Sequence, residues 1–552
     1  MKKQKFKAKG IEPKRYYNKF LFAVLILAVT FFNFKISNPV LAYEKILIEN
    51  CEELQLIGDS DYPLDGEYAL ENDIDCDGLD FQPIALIEGI ERNPFEGVFD
   101  GNGYIIKNLS INMSQVKKVS LFSEVGSSGE ILNVIVKDAN IKGGEQTGGI
   151  VGYNSGTIKS SYVKEGLIEG SDYVGGVVAT NWKGSITDSY STAKVRGSNY
   201  VGGFVGWNDE GLVNRSYATG DVEGSTIIGG FAGFNEEGVI GRSYATGNVL
   251  NASERAGGFV GYNYLSSIKE SYSTGSVFST GDQVGGFVGY NNLSSIERSY
   301  AKGDVEGGYW AVGGFAGFNE GVIKNSHSGG AVNWQDEEDA PEGAVGGFVG
   351  YNNRETIKNS YATGYVGEIS SGGDNVGGFI GYLDSGGIQN SFSTGYVFGE
   401  GDNVAMFAGS NDENIDNSFV YKFSDEKNCV SKEGSGASTE CTSVEKIESF
   451  YKYDDQPLKE LYDRWDFQLA WADNYLKEDY PVLRWRVEPE EVSGGVSSGS
   501  AAGQRPLPWY QNPLYSEQKE ELLRGLEEMR AEVKTAQEGV NSLIDLFEQL
   551  DA

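Results

Sequence analysis

The sequence predicts an all-β protein that folds as a right-handed parallel β-helix, a β-solenoid of about ten coils of 27–28 residues with further coils at its N-terminal side. A glycine pair recurs through the middle of the chain every 27 to 33 residues. Short β-branched and aromatic segments, separated by Gly and Asn, fill each interval, and none shows the period of a helix. Such units bury apolar side chains only by stacking on one another, and parallel crossovers are nearly always right-handed.

Each unit reads approximately V-G-G-F-V-G-Y-N, followed by x-G-x-I-x-x-S-Y-A-T-G-x-V-x-G. We expect the glycines at a corner of the coil, because glycine allows both a positive φ and a close backbone approach. We expect the Asn at the next corner, where Asn tolerates the left-handed region and can hydrogen-bond to its own copies. The glycine pairs begin at Gly148, Gly175, Gly202, Gly229, Gly257, Gly285, Gly313, Gly346 and Gly377, and a degenerate tenth copy lies around Ala405.

A serine column recurs in all ten units. A catalytic serine is a single special position, whereas a column repeated in every coil is what a hydrogen-bonded structural ladder predicts. The column consists of Ser161, Ser189, Ser216, Ser243, Ser271, Ser299, Ser326, Ser360, Ser391 and Ser418.

Residues 1–42 have the pattern of a secretion signal. A basic stretch precedes the apolar run Phe20–Phe32, and the small residues Val40 and Ala42 precede the expected cleavage point. We therefore expect a mature chain that begins near Tyr43 and is secreted or held at the cell surface. An uncleaved membrane anchor is the alternative, although the apolar run is shorter than the roughly 20 residues that a span prefers.

Four cysteines flank the repeats as two local pairs, Cys51 with Cys76 and Cys429 with Cys441. In an exported chain they favour two disulfides, although four cysteines allow three connectivities. A zinc site is a poorer interpretation because the pairs lack CxxC spacing and no histidine lies near them.

The C-terminal part changes character. A Pro-, Gly- and Ser-rich linker leads into a segment whose apolar residues step by alternating fours and threes, which predicts a helix. A short coiled coil that mediates self-association and a single helix packed on a neighbour both stay open. The predicted domains are a signal peptide (1–42), an N-terminal cap (43–96), the β-helix (97–425), a C-terminal cap (426–487), a linker (488–512) and a C-terminal helix (513–552).

The units resemble the GLUG repeat, a glycine-rich module of bacterial surface and secreted proteins that include adhesin-like proteins and the non-catalytic regions of IgA-specific metalloendopeptidases. The resemblance covers roughly residues 97–425, and the segments FDGNGYIIKNL and YPVLRW are similar to sequences that accompany such arrays. It implies an exported β-helical protein. Because the module occurs with varied functions, the resemblance is weak evidence of activity.

The composition and the motifs argue against several functions. The net charge of −35 disfavours nucleic acid as a partner, because a phosphate backbone is bound by clustered Lys and Arg. The HExxH motif of zincins needs two histidines, and the sequence contains only one, His327. His327 occupies a column that holds Tyr or Phe in the other nine units. The segment Asp73–Phe81 begins like a calcium loop, but Ile84 stands where such a loop has Glu. We therefore predict no metal, no cofactor and no catalytic residue.

The units after residue 313 depart from the regular interval. Both long units gain their residues between the Val column and the next glycine pair, so the insertions should emerge on one edge of the solenoid. Insertions on one face often mark a binding surface, although an insertion without a role is the alternative. This predicted ledge could stack on a sugar or contact a basic protein. It comprises Tyr309, Trp310, Trp334, Asp336 and Glu337, followed by Glu338 and Asp339.

These observations predict a non-enzymatic, adhesin-like or structural surface protein whose rod binds a glycan or a protein at the cell exterior. The alternative is a glycan-active β-helix enzyme, either a polysaccharide lyase or a hydrolase. Such a site needs carboxylates clustered with Arg or Lys on one face, whereas the arginines of the repeats are scattered singly.

Overall fold

The computed structural model describes residues 45–86, 93–308, 310–334, 343–368, 375–398, 403–422, 428–435, 437–446, 450, 471–472 and 482–483. These residues form a parallel β-solenoid, which confirms the predicted fold class. The predicted signal peptide and C-terminal helix lie outside the described residues, and the handedness stays a prediction. In the described part of the chain, no helix has the length and apolarity needed to cross a membrane.

Each central coil contributes a strand, or half of a longer strand, to each of five parallel stacks, in which every strand pairs with its equivalents in the preceding and following coils. We name the stacks, in chain order, the glycine, asparagine, isoleucine, tyrosine and valine stacks. Because the registers join identical columns, such as Ile240 with Ile268 and Val249 with Val277, the sequence repeat becomes a spatial repeat.

The bounds of the strands in the first two stacks follow. The glycine stack contains Thr147–Gly148, Asp172–Gly175, Asn199–Gly202, Ile227–Gly229, Arg255–Gly257, Gln283–Gly285, Ala311–Gly313, Ala344–Gly346, Asn375–Gly377 and Val404–Ala405. The asparagine stack contains Phe122–Val125, Val151–Asn154, Val178–Trp182, Val205–Asp209, Ala232–Glu236, Val260–Tyr264, Ala408–Asn411 and Val430–Glu433, and the first halves of four long strands, Val288–Glu297, Ala316–Lys324, Val349–Lys358 and Ile380–Gln389.

The other three stacks share several long strands. The isoleucine stack contains Ile46–Ile48, Glu67–Leu70, Val98–Asp100, Glu130–Leu132, Thr157–Lys159, Ser185–Thr187, Leu212–Asn214, Val239–Gly241 and Ser267–Lys269, then the second halves of the four long strands, then Asn414–Tyr421 and Ser438–Val444. The tyrosine stack contains Ile74–Asp75, Ile105–Lys107, Ile135–Lys142, Tyr162–Glu169, Tyr190–Ser191, Tyr217–Ala218, Tyr244–Ala245, Tyr272–Ser273, Tyr300–Ala301, His327–Ser328, Tyr361–Ala362 and Phe392–Ser393. The valine stack contains Ser110–Asn112, Lys194–Arg196, Val222–Glu223, Val249–Ala252, Val277–Ser279, Val305–Gly307, Val332–Trp334 and Val366–Glu368.

Both predicted caps contribute strands to these stacks. The isoleucine stack runs by parallel pairing from Ile46–Ile48 at one end to Ser438–Val444 at the other. A helix, Cys51–Gln55, follows the first strand and is capped by the side chain of Asn50. The predicted disulfides form between Cys51 and Cys76 and between Cys429 and Cys441, which settles the connectivity. Further along the C-terminal cap, Trp471–Ala472 pairs antiparallel with Val482–Leu483.

A column of phenylalanines stacks along the interior. Phe259 and Phe287 have centroids 4.8 Å apart with an interplanar angle of 15°, and both are fully buried. Each such pair contributes about 0.5–1.5 kcal/mol beyond the burial of its apolar area. The column consists of Phe204, Phe231, Phe259, Phe287, Phe315, Phe348, Phe379 and Phe407.

The glycine pair is required by close packing and not by a positive φ. A Cβ added to Gly285 would lie well under 3.0 Å from the carbonyl oxygen of Val288, and one added to Gly286 would meet the carbonyl oxygen of Gly314 in the next coil just as closely. Neither glycine has a positive φ. Of the two reasons that the sequence offered for these glycines, the structure therefore selects the close backbone approach.

The asparagine column forms the expected ladder, but it does not occupy the left-handed region. The Asn235 amide nitrogen donates to Asn263 Oδ1 at 2.8 Å, and Asn263 donates in turn to Asn291 at 2.9 Å. The residue with positive φ comes two positions later, at Leu265 and Leu293. This corrects the expected position of the corner. The buried amide is held in an extended strand by its neighbours in the ladder. The left-handed conformation that the corner requires is therefore adopted by a later residue whose side chain faces the solvent.

Candidate functional site

The interior serine column is structural. The Ser271 backbone N–H donates to Ser299 Oγ at 3.3 Å, and Ser271 Oγ donates to the Lys269 carbonyl oxygen at 2.9 Å. The same bonds recur from coil to coil, and these serines are buried. The predicted ladder is therefore confirmed.

His327 is a buried member of an aromatic column. Its ring stacks on Tyr300, with centroids 4.9 Å apart, and on Tyr361, with centroids 4.6 Å apart. The residue is 4% exposed. Burial, assisted by the charge of Lys302, lowers the pKa of His327 to about 3. The imidazole is therefore neutral at physiological pH, and His327 is a substitution within a structural column, as its sequence position predicts.

The loop that begins like a calcium site is held together by its own hydrogen bonds. Asp75 Oδ1 accepts from the Asn108 side chain at 2.8 Å and from the Asp77 backbone N–H at 3.1 Å. Both bonds lower the pKa of Asp75, and the bond from Asn108 has the larger effect. Asp73 accepts from the Ile105 backbone N–H at 3.0 Å. Among the described residues, no three His, Cys, Asp or Glu side chains are grouped to hold a metal ion.

Two of the seven residues of the predicted ledge are described, and they lie in different surroundings. Trp334 is 1% exposed, at the end of its valine-stack strand. Trp310 is half-buried and stacks on Phe318, with centroids 5.0 Å apart. The other five, Tyr309, Asp336, Glu337, Glu338 and Asp339, lie outside the described residues. The role of the ledge in ligand binding stays a prediction.

Trp310 joins a larger feature, which we call the outer aromatic row. It is formed by the third residue of the asparagine-stack strands, whose side chain is aromatic in eight coils and half-buried in all of these except Phe318. Neighbouring rings lie about one strand spacing apart; Phe234 and Tyr262, for example, have centroids 5.0 Å apart. The row consists of Tyr153, Trp207, Phe234, Tyr262, Tyr290, Phe318, Tyr351 and Tyr382.

Side chains that precede the glycine pairs widen this row. Tyr173 stacks on Trp207, with centroids 5.2 Å apart. The Arg255 guanidinium lies 4.9 Å from the Tyr262 ring centroid and 5.5 Å from that of Tyr290, within the range of cation–π attraction. The outer aromatic row is therefore a surface two side chains wide.

Carboxylates border the row and hold some of its phenols. Tyr290 donates its hydroxyl hydrogen to Glu320 Oε2 at 2.5 Å, and Tyr382 donates to Asp412 Oδ2 at 2.6 Å. Burial first, and then the neighbouring acidic charge, raises the pKa of Tyr351 to about 12. Burial, followed by the charge of Asp209, also raises the pKa of Glu236. At neutral pH the row therefore presents ring edges, phenolic hydroxyls and acceptor oxygens, which suit hydrogen bonding and the binding of cations.

The outer aromatic row was not predicted as a site, although the sequence contained its signal. The residue before the Asn column is aromatic in most units, and alternation along a strand places it on the face opposite to the buried Asn.

Comparison with known families agrees with this geometry. Residues 170–196, 197–223, 252–277, 280–306 and 342–367 match a family model described as the GLUG motif. The solenoid carries GLUG motifs. Each motif corresponds to about one coil: the segment 197–223 begins just before the strand Asn199–Gly202 of the glycine stack and ends with the strand Val222–Glu223 of the valine stack.

Two individual proteins are similar to this GLUG-containing chain. Halomucin of Haloquadratum walsbyi is 34% identical over 125 residues, which make up 21% of this chain and 1% of halomucin. This chain thus spans only a small part of the length of that curated relative. The crystal structure of a Bacteroides ovatus protein, provisionally named an immunoglobulin A1 protease, aligns over 80% of this chain and 92% of its own with 15% identity and a TM-score of 0.23. An alignment with so low a score carries no argument about fold or activity.

Proposed function

We propose that the chain is an exported, non-enzymatic surface protein whose GLUG solenoid binds a glycan or a protein outside the cell through the outer aromatic row. The observation that carries the proposal is the row itself, in which eight coils place an aromatic ring on the outward face of the strand and seven of these rings are half-buried. Aromatic side chains are enriched at interfaces because they bury a large area and, in Tyr and Trp, keep a polar end.

The extracellular location is supported by the covalent chemistry of the chain. All four cysteines are paired in disulfides, with Cα–Cα distances of 5.3 and 6.3 Å. Disulfides persist in oxidising compartments, such as the cell exterior. The secretion-signal pattern of residues 1–42 and the GLUG resemblance favour the same location.

The chemistry of the row indicates what it would bind. Rings stacked on one another, such as Phe234 on Tyr262, cover each other's faces and leave their edges and hydroxyls to a partner. Ring edges carry partial positive charge, while the bordering carboxylates carry negative charge. Partners rich in hydroxyl groups, or a protein surface with Lys and Arg, fit this combination.

The test is binding by the secreted chain to arrays of glycans and of extracellular proteins. Tyr262→Leu removes a ring held between Phe234 and Tyr290, and we expect it to weaken binding at least tenfold. Tyr244→Leu is the matched control, because it removes an equally stacked ring from the tyrosine stack. A folded chain that binds nothing on either array would contradict the proposal, and cleavage of a bound glycan would favour the enzymatic alternative.

A further inference from the structure

A second aromatic group lies near the C-terminal end of the described coils, on the outside of the valine stack. Tyr365, Tyr396 and Phe398 are 44%, 41% and 55% exposed, and the rings of Tyr396 and Phe398 have centroids 4.4 Å apart. Tyr365 and Tyr396 immediately precede Val366 and Val397, which pair across adjacent coils. We propose that this cluster, which we call the aromatic platform, binds the pyranose rings of a neutral glycan. The inference rests on the proposed function of extracellular binding and adds to it a second site, separate from the outer aromatic row, with its own ligand class.

The platform breaks the pattern of its own column. Elsewhere the residue before the valine is small or polar, as in Asp221, Asn248, Ser276, Asp304 and Ala331. Tyr365 and Tyr396 replace such residues with large rings that remain exposed and therefore gain little from burial. Exposed apolar groups of this kind mark binding sites more often than folding requirements.

Tyr365 is held in place from two sides. A Cβ added to Gly367 would lie 3.2 Å from Cε2 and 3.7 Å from Cδ2 of Tyr365, so the ring leans over the space that Gly367 leaves empty. The phenol donates to Asn333 Oδ1 at 3.2 Å in the preceding coil. The equivalent position in other coils carries a side chain, such as Phe278 or Glu306. Glycine at 367 thus makes room for the ring, and a pre-positioned ring loses little entropy when a ligand binds.

The surroundings favour a neutral sugar over other apolar ligands. The apolar C–H face of a pyranose stacks on an aromatic ring, and its hydroxyls can bond to the amide of Asn333 beside Tyr365. Asp304 and Glu306 lie on the same side of the valine stack, one coil before Asn333, and their carboxylates repel sulfated or uronic-acid chains. The coils repeat at the strand spacing of about 4.8 Å, close to the length of one hexose, so successive sugars could lie on successive coils.

The platform differs from the outer aromatic row in what it offers. In the row, a ring that is stacked on both sides, such as Tyr262 between Phe234 and Tyr290, presents mainly its edge. Tyr396 and Phe398 are instead inclined by 57° to each other, so their faces are not both covered by mutual stacking. The row therefore suits cations and hydrogen-bonding groups, whereas the platform suits the flat face of a sugar.

The experiment measures binding of neutral oligosaccharides of glucose, mannose and galactose to the full mature chain by calorimetry, with sulfated and uronic-acid oligosaccharides in parallel. We expect at least one neutral series to bind, and Tyr365→Ala and Phe398→Ala each to weaken that binding at least tenfold. Gly367→Glu, which fills the space beneath Tyr365, should weaken it as well. Phe278→Ala is the matched control, because Phe278 is 43% exposed and, like Phe398, follows the valine of its coil, but no second exposed ring lies beside it among the described residues; it should bind like the wild type.

Several results would overturn the inference. If neutral oligosaccharides bind but the three platform variants bind equally well, the sugar site is elsewhere; loss only in Tyr262→Leu would place it on the outer aromatic row and leave the proposed function intact. If only acidic oligosaccharides or a protein bind, the ligand class is wrong. Binding of a synthetic peptide of residues 513–552 to the platform, or platform-dependent dimerisation, would show that the apolar rings serve the chain itself. If the wild-type chain binds neither glycan nor protein, both proposals fail together.

Discussion

Replacing His327 with Phe should make the stability of the solenoid less sensitive to acid. In the folded chain, burial between two stacked tyrosines, with the nearby charge of Lys302, lowers the pKa of His327 to about 3 from 6.5. Phe is a suitable replacement because Phe392 already occupies the same column and stacks on Tyr361 with centroids 4.9 Å apart. The variant retains the aromatic stack and removes only the titrating group.

The sign and the size of the expected change in stability with pH follow from proton linkage. The unfolded chain takes up a proton at its imidazole as the pH falls below 6.5, whereas the folded chain resists protonation down to a pH of about 3. The contribution of His327 is therefore fully present above pH 6.5 and is lost as the pH falls toward 3. The slope approaches about 1.4 kcal/mol per pH unit. Between pH 7 and pH 5 the wild type should lose about 2 kcal/mol more than His327→Phe.

Two measurements check the predicted pKa and the predicted loss of stability. Because the chain has one histidine, its imidazole gives a single pair of ring C–H signals (Hδ2 and Hε1) in a tag-free sample, and neither signal should titrate between pH 7 and pH 4.5. Urea unfolding of both proteins at pH 7 and pH 5 gives the stability difference, and carboxylates common to both proteins cancel. A titration midpoint near 6.5 in the folded chain, or equal acid sensitivity of the two proteins, would refute the reasoning.

Three further predictions concern the features that hold the coils together. Gly285→Ala should prevent correct stacking, whereas Gly241→Ala, whose new Cβ would meet its nearest neighbouring atom at 3.5 Å, should leave the melting temperature almost unchanged. Asn263→Ala leaves a donor and an acceptor of the buried ladder unpaired and should cost about 2–5 kcal/mol in urea unfolding, against less than about 0.5 kcal/mol for Asn112→Ala in an exposed strand position without a positive φ; equal costs would argue against the ladder. The disulfide between Cys51 and Cys76 has a sequence separation of 25 residues, and its reduction should destabilise the first coils by about 3.5 kcal/mol. Hydrogen exchange should then be faster in the first three strands, while the central coils stay protected.

The periodic part of the fold was predictable because each column has the same neighbours in every coil. A Phe that recurs at a fixed interval stacks on its own copies, and a recurring Ser bonds to its own copies, so the interval alone indicates the contact. The corner after the Asn column was not predictable in the same way. Leu265 and Glu237 have no propensity for positive φ, yet both adopt it. The buried ladder fixes the strand before them, and tertiary structure then overrides the local preference.

The binding surface was less predictable because its location depends on which way a side chain points. Trp334 was assigned to an exposed ledge, but its side chain is buried, in register with Gly307 of the preceding coil. The sequence does not show that this position at the end of a strand faces the interior. Similarly, the sequence does not show that the Tyr365 ring lies over Gly367 and bonds to Asn333, since both contacts depend on the folded structure.

The close packing of the glycine corner also explains where this solenoid can vary. A side chain at Gly286 would strike the backbone of the next coil, and the buried Asn263 must match the amide on either side of it. A change in either column disturbs the adjacent coils, so these columns can hardly carry differences between coils. An outward position such as Tyr365 or Tyr396, which is more than 40% exposed, is less constrained by the packing of the adjacent coils. Binding specificity in such a rod is therefore expected where an outward column departs from its own pattern, and the aromatic platform is such a departure.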